Sequence, residues 1–260
     1  MIVISDLWKK YGTIEVLKGV NLTCHEGKTT IILGRSGVGK SVLLRHIIGL
    51  ERPDKGYIEV GGVRISEVPE KALYKAMRHF GMLFQGSALF DSMTVGENVA
   101  FYLMQHGDPQ TGKRIPKALV DQLVDEALTK VGLKGFQSKM PSELSGGQKR
   151  RAALARLIVY GPKIMLYDEP TTGLDPITAM QINELIIATN KELGATTVVV
   201  THDIRSALEV GDYFALHHEG KIVFSASKDE FVESKDALIR EFFKDALTTE
   251  AITKIENHGK

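Results

Sequence analysis

The chain has 260 residues, 43% hydrophobic and 25% charged, which is the composition of an ordinary globular protein long enough to bury a sizeable core. Its formal net charge of +1 gives no basic surface that would favour nucleic acid as the main partner, and its single cysteine excludes an internal disulfide. No apolar run approaches the ~20 residues of a membrane span and the N-terminus lacks a signal-peptide pattern, so we expect the chain itself to be soluble.

The first thirty residues have the apolar pattern of β-strands. Short runs at Ile2–Ile4, Glu15–Leu17 and Val20–Cys24 predict three strands. Tyr11 lies in the predicted loop between the first two of them. A surface aromatic in a loop is common, but a phosphate-binding motif follows downstream. We therefore favour Tyr11 as a stacking platform for a purine, worth about 1–3 kcal/mol.

The stretch Gly34–Ser41 matches the phosphate-loop pattern G-x-x-x-x-G-K-[ST]. Its glycines let backbone N–H groups converge on one anion, Lys40 adds a positive charge near the β- and γ-phosphates, and the Ser41 hydroxyl can ligate Mg²⁺. Thr29–Leu33 predicts a buried strand before the loop, and Val42–Ile48 predicts a helix after it. A chance match in a chain of this length is expected about once in a hundred, so we predict a nucleoside triphosphate site.

Three further elements precede residue 88. Gly61 and Gly62 separate two apolar runs and predict a hairpin, and residues 70–80 predict a helix with one apolar face. Gly81–Gln85 is a short apolar strand that ends in an amide. A glutamine at a strand end is usually only a polar terminus. After a phosphate loop, however, the Gln85 side chain can reach a metal ion or the attacking water.

From Ala88 to Pro141 the pattern is helical and loop-like, without strand alternation, which predicts an inserted helical subdomain. It ends in Ser145–Gln148, directly before a helix predicted from Lys149. A Ser-Gly-Gly helix start presents N–H groups and a positive dipole end to a second anion. A plain capped helix is the alternative, and it would be preferred if the phosphate loop were absent.

Two later predicted strands end in side chains that can take part in catalysis. The apolar run from Lys163 closes on Asp168 and Glu169. Because adjacent strand residues point to opposite sides, one carboxylate can hold Mg²⁺ while the other orients and deprotonates water. Solvated acids at a strand end are frequent, but after a phosphate loop the pair fits a nucleotide hydrolase. Ala195–Asp203 is another buried strand with His202 near its end, where doubly wound sheets place ligands.

The last part of the chain predicts a hairpin over Tyr213–Phe224 and an amphipathic helix over Asp229–Leu247. Most such apolar stripes pack on their own domain, and docking on a partner subunit is the less frequent alternative. We predict one domain over residues 1–247, with its helical subdomain at about 88–160, followed by a polar C-terminal tail at 248–260.

Together these motifs resemble the nucleotide-binding subunits of ABC transporters, over essentially the whole chain. Gly34–Ser41 is similar to the Walker A motif, Ile164–Glu169 is similar to Walker B, and Leu144–Gln148 reads LSGGQ, the family signature letter for letter. The resemblance implies an α/β fold: a P-loop NTPase core with an N-terminal antiparallel β subdomain and an inserted α-helical subdomain. It also implies an ATPase whose two copies face head to tail and enclose two ATP molecules.

The same resemblance implies a role for each motif residue. The catalytic positions would be Glu169 as general base, with His202 and Gln85 sensing the γ-phosphate. Mg²⁺ would be held by Ser41, Gln85 and Asp168. The positions that bind ATP would be Tyr11, Gly34, Arg35, Ser36, Gly37, Val38, Gly39, Lys40, Ser41 and Val42. The positions that act on the nucleotide of the other copy would be Ser145, Gly146, Gly147, Gln148 and Asp175.

Val42–Leu44 and Gln85–Val95 resemble one branch in particular, the ATPases of bacterial MCE-type (Mla-like) lipid transporters. This resemblance implies an ATP-hydrolysing motor on an integral-membrane permease, for phospholipid transport across the bacterial envelope. The expected location is cytoplasmic, peripheral on the inner face of the inner membrane, with an MCE-type substrate-binding subunit as a further partner and no nucleic acid beyond ATP. Alternatives are another importer, such as one for amino acids, or a soluble ABC ATPase outside transport. The soluble class usually carries two cassettes or a long coiled coil.

Overall fold

A computed structural model of the chain describes residues 1–246. The residues group into two compact units: Met1–Tyr74 with the described residues from Thr196 onward, and Lys75–Ala195. Leu247 and the predicted tail at 248–260 lie outside the described residues. Within 1–246, no helix combines the length and the apolar character that crossing a bilayer requires.

The described residues form ten strands and nine α-helices. The strands are β1 (Ile2–Tyr11), β2 (Ile14–Cys24), β3 (Thr29–Leu33), β4 (Lys55–Val60), β5 (Val63–Arg64), β6 (Phe80–Leu83), β7 (Ile164–Asp168), β8 (Thr196–Thr201), β9 (Tyr213–His218) and β10 (Lys221–Ser227). The helices are α1 (Lys40–Ile47), α2 (Glu70–Met77), α3 (Val95–His106), α4 (Lys117–Lys130), α5 (Gly146–Ile158), α6 (Pro176–Leu193), α7 (Ile204–Val210), α8 (Lys228–Glu233) and α9 (Ala237–Ala246). The predicted α/β class is confirmed.

The first unit contains an antiparallel sheet in the order β2-β1-β4-β5. β1 pairs with β2 on one side and with β4 on the other. Ile2, Ile4 and Leu7 of β1 are buried, so one face of this sheet belongs to the core. The predicted hairpin is confirmed, because Val60 pairs with Val63 across the two glycines that separate β4 from β5.

The same unit contains a parallel core. β3 pairs in parallel with β8 and with β9, and β10 closes this edge as the antiparallel partner of β9. All residues of β3 and β8 are buried, as expected for parallel strands covered on both faces. Leu33 pairs with Thr201 at the carboxyl ends of these strands. The phosphate loop and His202, which follow those two residues, therefore begin at the same edge of the sheet.

The second unit combines two parallel strands with the helices from α3 to α6. β6 and β7 pair in register from Phe80 with Ile164 to Leu83 with Tyr167. α3, α4 and α5 pack on one another, and the α3 side chains Val95, Val99 and Leu103 are almost fully buried. The register of β6 and β7 brings Gln85 and Asp168, predicted from separate motifs, to the same edge of this strand pair.

Several predicted boundaries are wrong. The second and third predicted strands form the single strand β2, and α5 begins at Gly146 and not at Lys149. The predicted helix over 229–247 is interrupted, because Ser234 caps the end of α8 and Asp236 starts α9 by accepting hydrogen bonds from Leu238 N and Ile239 N. Polar residues with short side chains compete with the helix backbone in this way, and apolar periodicity does not reveal it. Tyr11 is the last residue of β1 and not part of a loop.

Candidate functional site

The phosphate loop of the first unit lies between β3 and α1, as its motif predicts. Gly37 has a φ of 81° and Gly39, which starts α1, has a φ of 105°. Both values lie in a region that residues with a Cβ rarely adopt, so glycine is required at both places. Lys40, Ser41 and Val42 form the first turn of α1, where the backbone N–H groups and the positive end of the helix dipole favour an anion.

The underside of the loop packs directly on β9 and β2. A Cβ built on Gly34 would lie 2.6 Å from the carbonyl oxygen of His217, and one built on Gly39 would lie 2.8 Å from Val16 Cγ1. Neither distance leaves room for a side chain. The loop therefore packs on two strands of its own unit, and Gly34 and Gly39 are needed for this close approach.

Lys40 is buried within the loop that it follows. Its side chain has 6% exposure, and Nζ donates hydrogen bonds to Gly34 O over 2.7 Å and to Arg35 O over 3.0 Å. The ammonium group is thereby fixed inside the curve of the loop. A fixed positive charge at this point suits the β- and γ-phosphates of a nucleotide.

Other predicted nucleotide-binding residues of the first unit lie at the surface. Ser36 is exposed, and the exposed Arg35 pairs with Glu241 of α9 over 2.8 Å. The Tyr11 ring is 43% exposed, its hydroxyl donates a hydrogen bond to Glu51, and Lys9 Nζ lies 5.6 Å from the ring centre. The ring can still offer a face to a purine.

The two carboxylates predicted at the end of β7 are both in the second unit, and each has 7% exposure. Asp168 is the last residue of the strand. Glu169 has a φ of 49°, which is uncommon for any residue with a side chain. Thr172 Oγ1 donates a hydrogen bond to Glu169 Oε2 over 2.9 Å. Strained backbone and an orienting hydrogen bond are typical of a residue that is held for function.

The signature motif forms the start of α5. Ser145 is its N-cap: Ser145 Oγ accepts a hydrogen bond from Gln148 N over 3.3 Å, and Gln148 Oε1 accepts one from Ser145 N over 2.9 Å. This is a capping box. Gly146 is exposed at the first helical position, so the dipole end that the sequence predicts does face outward.

Asp175 is the N-cap of α6. Its Oδ2 accepts a hydrogen bond from Thr178 Oγ1 over 2.5 Å, and its Oδ1 accepts hydrogen bonds from Thr178 N over 3.0 Å and from Ile177 N over 3.1 Å. These bonds, with that from Thr178 Oγ1 as the largest effect, lower the pKa of the carboxyl group. The structure therefore gives Asp175 a capping role at an exposed position. Gln85 and His202 are also exposed, each just beyond a strand end.

The predicted Mg²⁺ ligands are of the right chemical type. Ser41 lies in the first turn of α1, Asp168 is nearly buried at the end of β7, and Gln85 follows β6. All three offer oxygen, which Mg²⁺ prefers. Within residues 1–246, no group of three or more His, Cys, Asp or Glu side chains converges on one point. Mg²⁺ usually takes several of its oxygens from water and from substrate phosphates.

Sequence reasoning missed four residues that pack on, bond or interact electrostatically with predicted site residues. Thr172 bonds Glu169, Thr178 packs on Gly147, and Arg150 interacts favourably with Asp168 through its charge. His217 was assigned to no motif, yet its ring reaches within 3.5 Å of a Cβ built on Gly39. Thr172 lies three residues after Glu169, so a hydroxyl at that spacing was the one available signal.

Comparison with known proteins gives consistent results. The ABC transporter family matches residues 17–172. Mkl of Mycobacterium tuberculosis, described as a probable ribonucleotide transport ATP-binding protein, is 38% identical over 92% of this chain, and the chain spans 65% of the length of Mkl. MlaF of Haemophilus influenzae, the ATP-binding protein of an intermembrane phospholipid transport system, is 37% identical over 94% of this chain and 90% of MlaF.

A solved structure adds the fold. The dimeric ATP-binding cassette MJ0796 bound to ADP and Pi superposes with a TM-score of 0.79 and is 32% identical, over 88% of this chain and 99% of that one. The cassette architecture predicted from the motifs is thereby confirmed. The chain belongs to the ABC transporter family, as one of its ATP-binding cassettes.

Proposed function

We propose that the chain is the ATP-hydrolysing subunit of an ABC transporter that moves phospholipid across the bacterial envelope. The observation that carries the cargo assignment is the similarity to MlaF, which extends over 90% of the length of that protein. The similarity to Mkl supports ribonucleotides as a second candidate cargo, although the chain spans only 65% of Mkl.

In the proposed reaction Lys40 binds the β- and γ-phosphates and Glu169 takes the proton of the attacking water. Thr172 orients the Glu169 carboxylate for that task. Ser41, Gln85 and Asp168 would hold Mg²⁺, which neutralises charge on the phosphate oxygens when bound. Gln85 and His202 would sense the γ-phosphate. Tyr11 would stack on the adenine, with Gly34–Val42 around the phosphates.

Two copies are proposed to face head to tail, so that the Ser145–Gln148 segment of one copy contacts the ATP of the other. Like charges ~4 Å apart repel by about 4 kcal/mol at an effective dielectric of 20, so two phosphate-bearing faces close only with cations or dipoles between them. The outward end of α5 supplies such a dipole. Because Ser145 Oγ accepts its capping bond, its own O–H can donate to a phosphate.

The permease is proposed to dock on the second unit, beside the segment that follows Gln85. A groove of about 790 Å³ runs between α3 and α4, and its lining includes the apolar side chains of Met93, Phe101, Met104, Val120 and Val124. Met104 in this lining is 59% exposed, so the groove presents apolar surface that a partner could cover. This docking would keep the chain on the cytoplasmic face of the inner membrane, where an MCE-type subunit could join the assembly.

The proposal is tested on the native complex. The tagged chain is purified in mild detergent, its co-purifying subunits are identified, and the complex is reconstituted into vesicles that contain fluorescent phospholipid. We expect a membrane permease and ATP-dependent lipid movement that the Lys40→Ala variant lacks. Recovery of soluble partners alone, or ATP turnover stimulated by ribonucleotides and not by phospholipid, would contradict it.

A further inference from the structure

The turn formed by residues 84–88, called here the Gln85 turn, is hydrogen-bonded to α5, the helix that begins with the signature motif. Phe84 O, directly before Gln85, accepts one hydrogen bond from Ser87 N over 2.9 Å, which closes the turn. The same oxygen accepts a second hydrogen bond from Arg150 Nη1 over 2.8 Å. Arg150 belongs to α5 and has 5% exposure, so the first end of the turn is fastened by a buried, charged donor.

The other end of the turn is fastened by a second arginine of α5. Arg156 Nη2 donates to Ser87 O over 3.1 Å, and Arg156 Nη1 donates to Ala88 O over 2.7 Å. The Arg156 guanidinium also lies 5.8 Å from the ring centre of Phe90. A rigid fork that bonds two successive carbonyl groups defines their orientation in a way that a lysine would not.

The backbone beneath this fork is strained. Ser87 has a φ of 64° and Ala88 a φ of 47°, so two successive residues with side chains lie in the left-handed region. Such conformations persist only where the surrounding structure imposes them. The bonds from Arg156 reach the carbonyl groups of these same two residues and supply that constraint.

Ser145 caps the same helix, and Arg150 lies just over one turn beyond it. We propose that Arg150 and Arg156 are positioning residues that make the Gln85 turn and the signature helix one rigid body, so that a displacement of the turn carries Ser145 with it. This inference rests on the proposed function for its purpose: a permease pressing on the segment after Gln85 would thereby set whether Ser145 reaches the second copy's ATP.

A distance measurement tests the rigid body without any activity assay. Spin labels are placed at Gly86→Cys, where a Cβ meets nothing within 4 Å, and at Ser142→Cys, an exposed site just before the signature. Burial raises the pKa of Cys24 to about 12, so that thiol stays unlabelled at neutral pH. We expect one narrow distance distribution in the full-length chain and a clearly broader one in Arg156→Gln and in Arg150→Met.

Arg151 provides the matched control, since it lies on the same helix but donates to Val131 O over 2.9 Å and to Gln181 Oε1 over 2.7 Å. Arg151→Gln should leave the distribution narrow even if it lowers the melting temperature. Broadening in Arg151→Gln equal to that in Arg156→Gln would overturn the proposal, because it would mean general loosening of the helix. An unchanged distribution in both Arg150→Met and Arg156→Gln would overturn it as well.

Turnover gives a second readout. In Arg156→Gln we expect kcat to decrease by about tenfold or more, with the Kd for ATP unchanged. The kcat of Arg156→Lys should lie between the values of Arg156→Gln and the wild type. A rise in Kd with unchanged kcat would contradict the inference. If the proposed function is wrong, the wild type will show no ATP turnover. The distance distributions test the rigid body in either case, because they require no activity.

Discussion

Thr178 occupies the space that a side chain at Gly147 would need. A Cβ built on Gly147 would lie 2.6 Å from Thr178 Cγ2. Thr178 cannot easily turn aside, because its Oγ1 donates a hydrogen bond to Asp175 Oδ2 over 2.5 Å and its backbone N–H bonds the same carboxylate. The signature start of α5 and the capped start of α6 are thereby packed against each other within one copy.

We predict that Gly147→Ala destabilises the chain by about 1–3 kcal/mol through overpacking. Thr178→Ser removes the obstructing methyl group and retains the hydroxyl that bonds Asp175, so Gly147→Ala combined with Thr178→Ser should recover most of the loss. Thermal unfolding of the wild type, both single variants and the double variant measures this. A double variant that is no more stable than Gly147→Ala would show that the methyl contact is not the cause.

Thr172 is expected to affect turnover and not binding. Thr172→Val keeps the size of the side chain but removes the hydroxyl that bonds Glu169, so we predict a roughly tenfold lower kcat with an unchanged Kd for ATP. Thr172→Ser should keep near-normal turnover, because it keeps the hydroxyl. Stopped-flow phosphate release and nucleotide binding by fluorescence separate the two quantities. Wild-type turnover in Thr172→Val would remove Thr172 from this role.

Tyr11 is predicted to bind the nucleotide through its ring. Tyr11→Ala should weaken ATP binding by about 1–3 kcal/mol, which is about 5- to 150-fold in Kd. Tyr11→Phe loses the hydrogen bond to Glu51 but retains the ring, so its Kd should stay within about twofold of the wild type. Titration with a fluorescent ATP analogue compares them. Equal weakening in both variants would assign the effect to Glu51 and not to stacking.

His217 makes the stability of the chain depend on pH. Burial lowers the pKa of its imidazole to about 4, and the positive charge of Lys40 adds to this effect. The unfolded chain therefore takes up this proton first as the pH falls below about 6.5. The free energy of unfolding should be at its full value above that pH and should drop by up to about 3 kcal/mol as the pH approaches 4.

Urea unfolding at a series of pH values tests this prediction. Between about pH 4 and pH 6.5, the free energy of unfolding of His217→Gln should decrease less steeply with falling pH than that of the wild type. The difference in slope corresponds to the uptake of up to about one proton on unfolding. His218→Gln removes a neighbouring charge that also lowers the pKa of His217, so this variant measures how much that charge contributes to the fall. Identical slopes in His217→Gln and the wild type would mean that His217 carries no such shift.

The sequence alone predicts those parts of the molecule whose determinants lie close together in the chain. The apolar runs that end at Leu33 and at Asp168 predict strands, and the glycines before Lys40 predict the loop that leads into α1. These predictions agree with the structure. The order of parallel strands, with β3 between β8 and β9, depends on pairings more than a hundred residues apart. The sequence analysis therefore predicted the α/β class but no strand order.

The supporting contacts were less accessible to sequence reasoning. Thr178 lies 31 positions from Gly147, and His217 lies 183 positions from Gly34, so no spacing rule relates either pair. The break at Ser234–Asp236 was missed for a different reason, because the apolar stripe on either side keeps its register while a local cap ends the helix. Packing and capping of this kind appear only once the backbone is placed.

The central claim is that ATP is hydrolysed at a site shared between two copies, and a mixing experiment tests it directly. Glu169→Gln should bind ATP but turn over roughly 10²–10⁴ times more slowly, and Ser145→Arg should be inactive because it blocks the signature start. A mixed dimer has one intact site, formed by the Lys40 and Glu169 of the Ser145→Arg copy and the Ser145 of the Glu169→Gln copy.

We predict that equal amounts of these two inactive variants, co-assembled, recover ATPase activity corresponding to about one quarter of the wild-type sites, since random pairing makes half of the dimers mixed. Steady-state phosphate release on the purified mixture measures it. No recovery on mixing, with Ser145→Arg alone hydrolysing ATP at the wild-type rate, would show that each copy contains a complete site and would contradict the account.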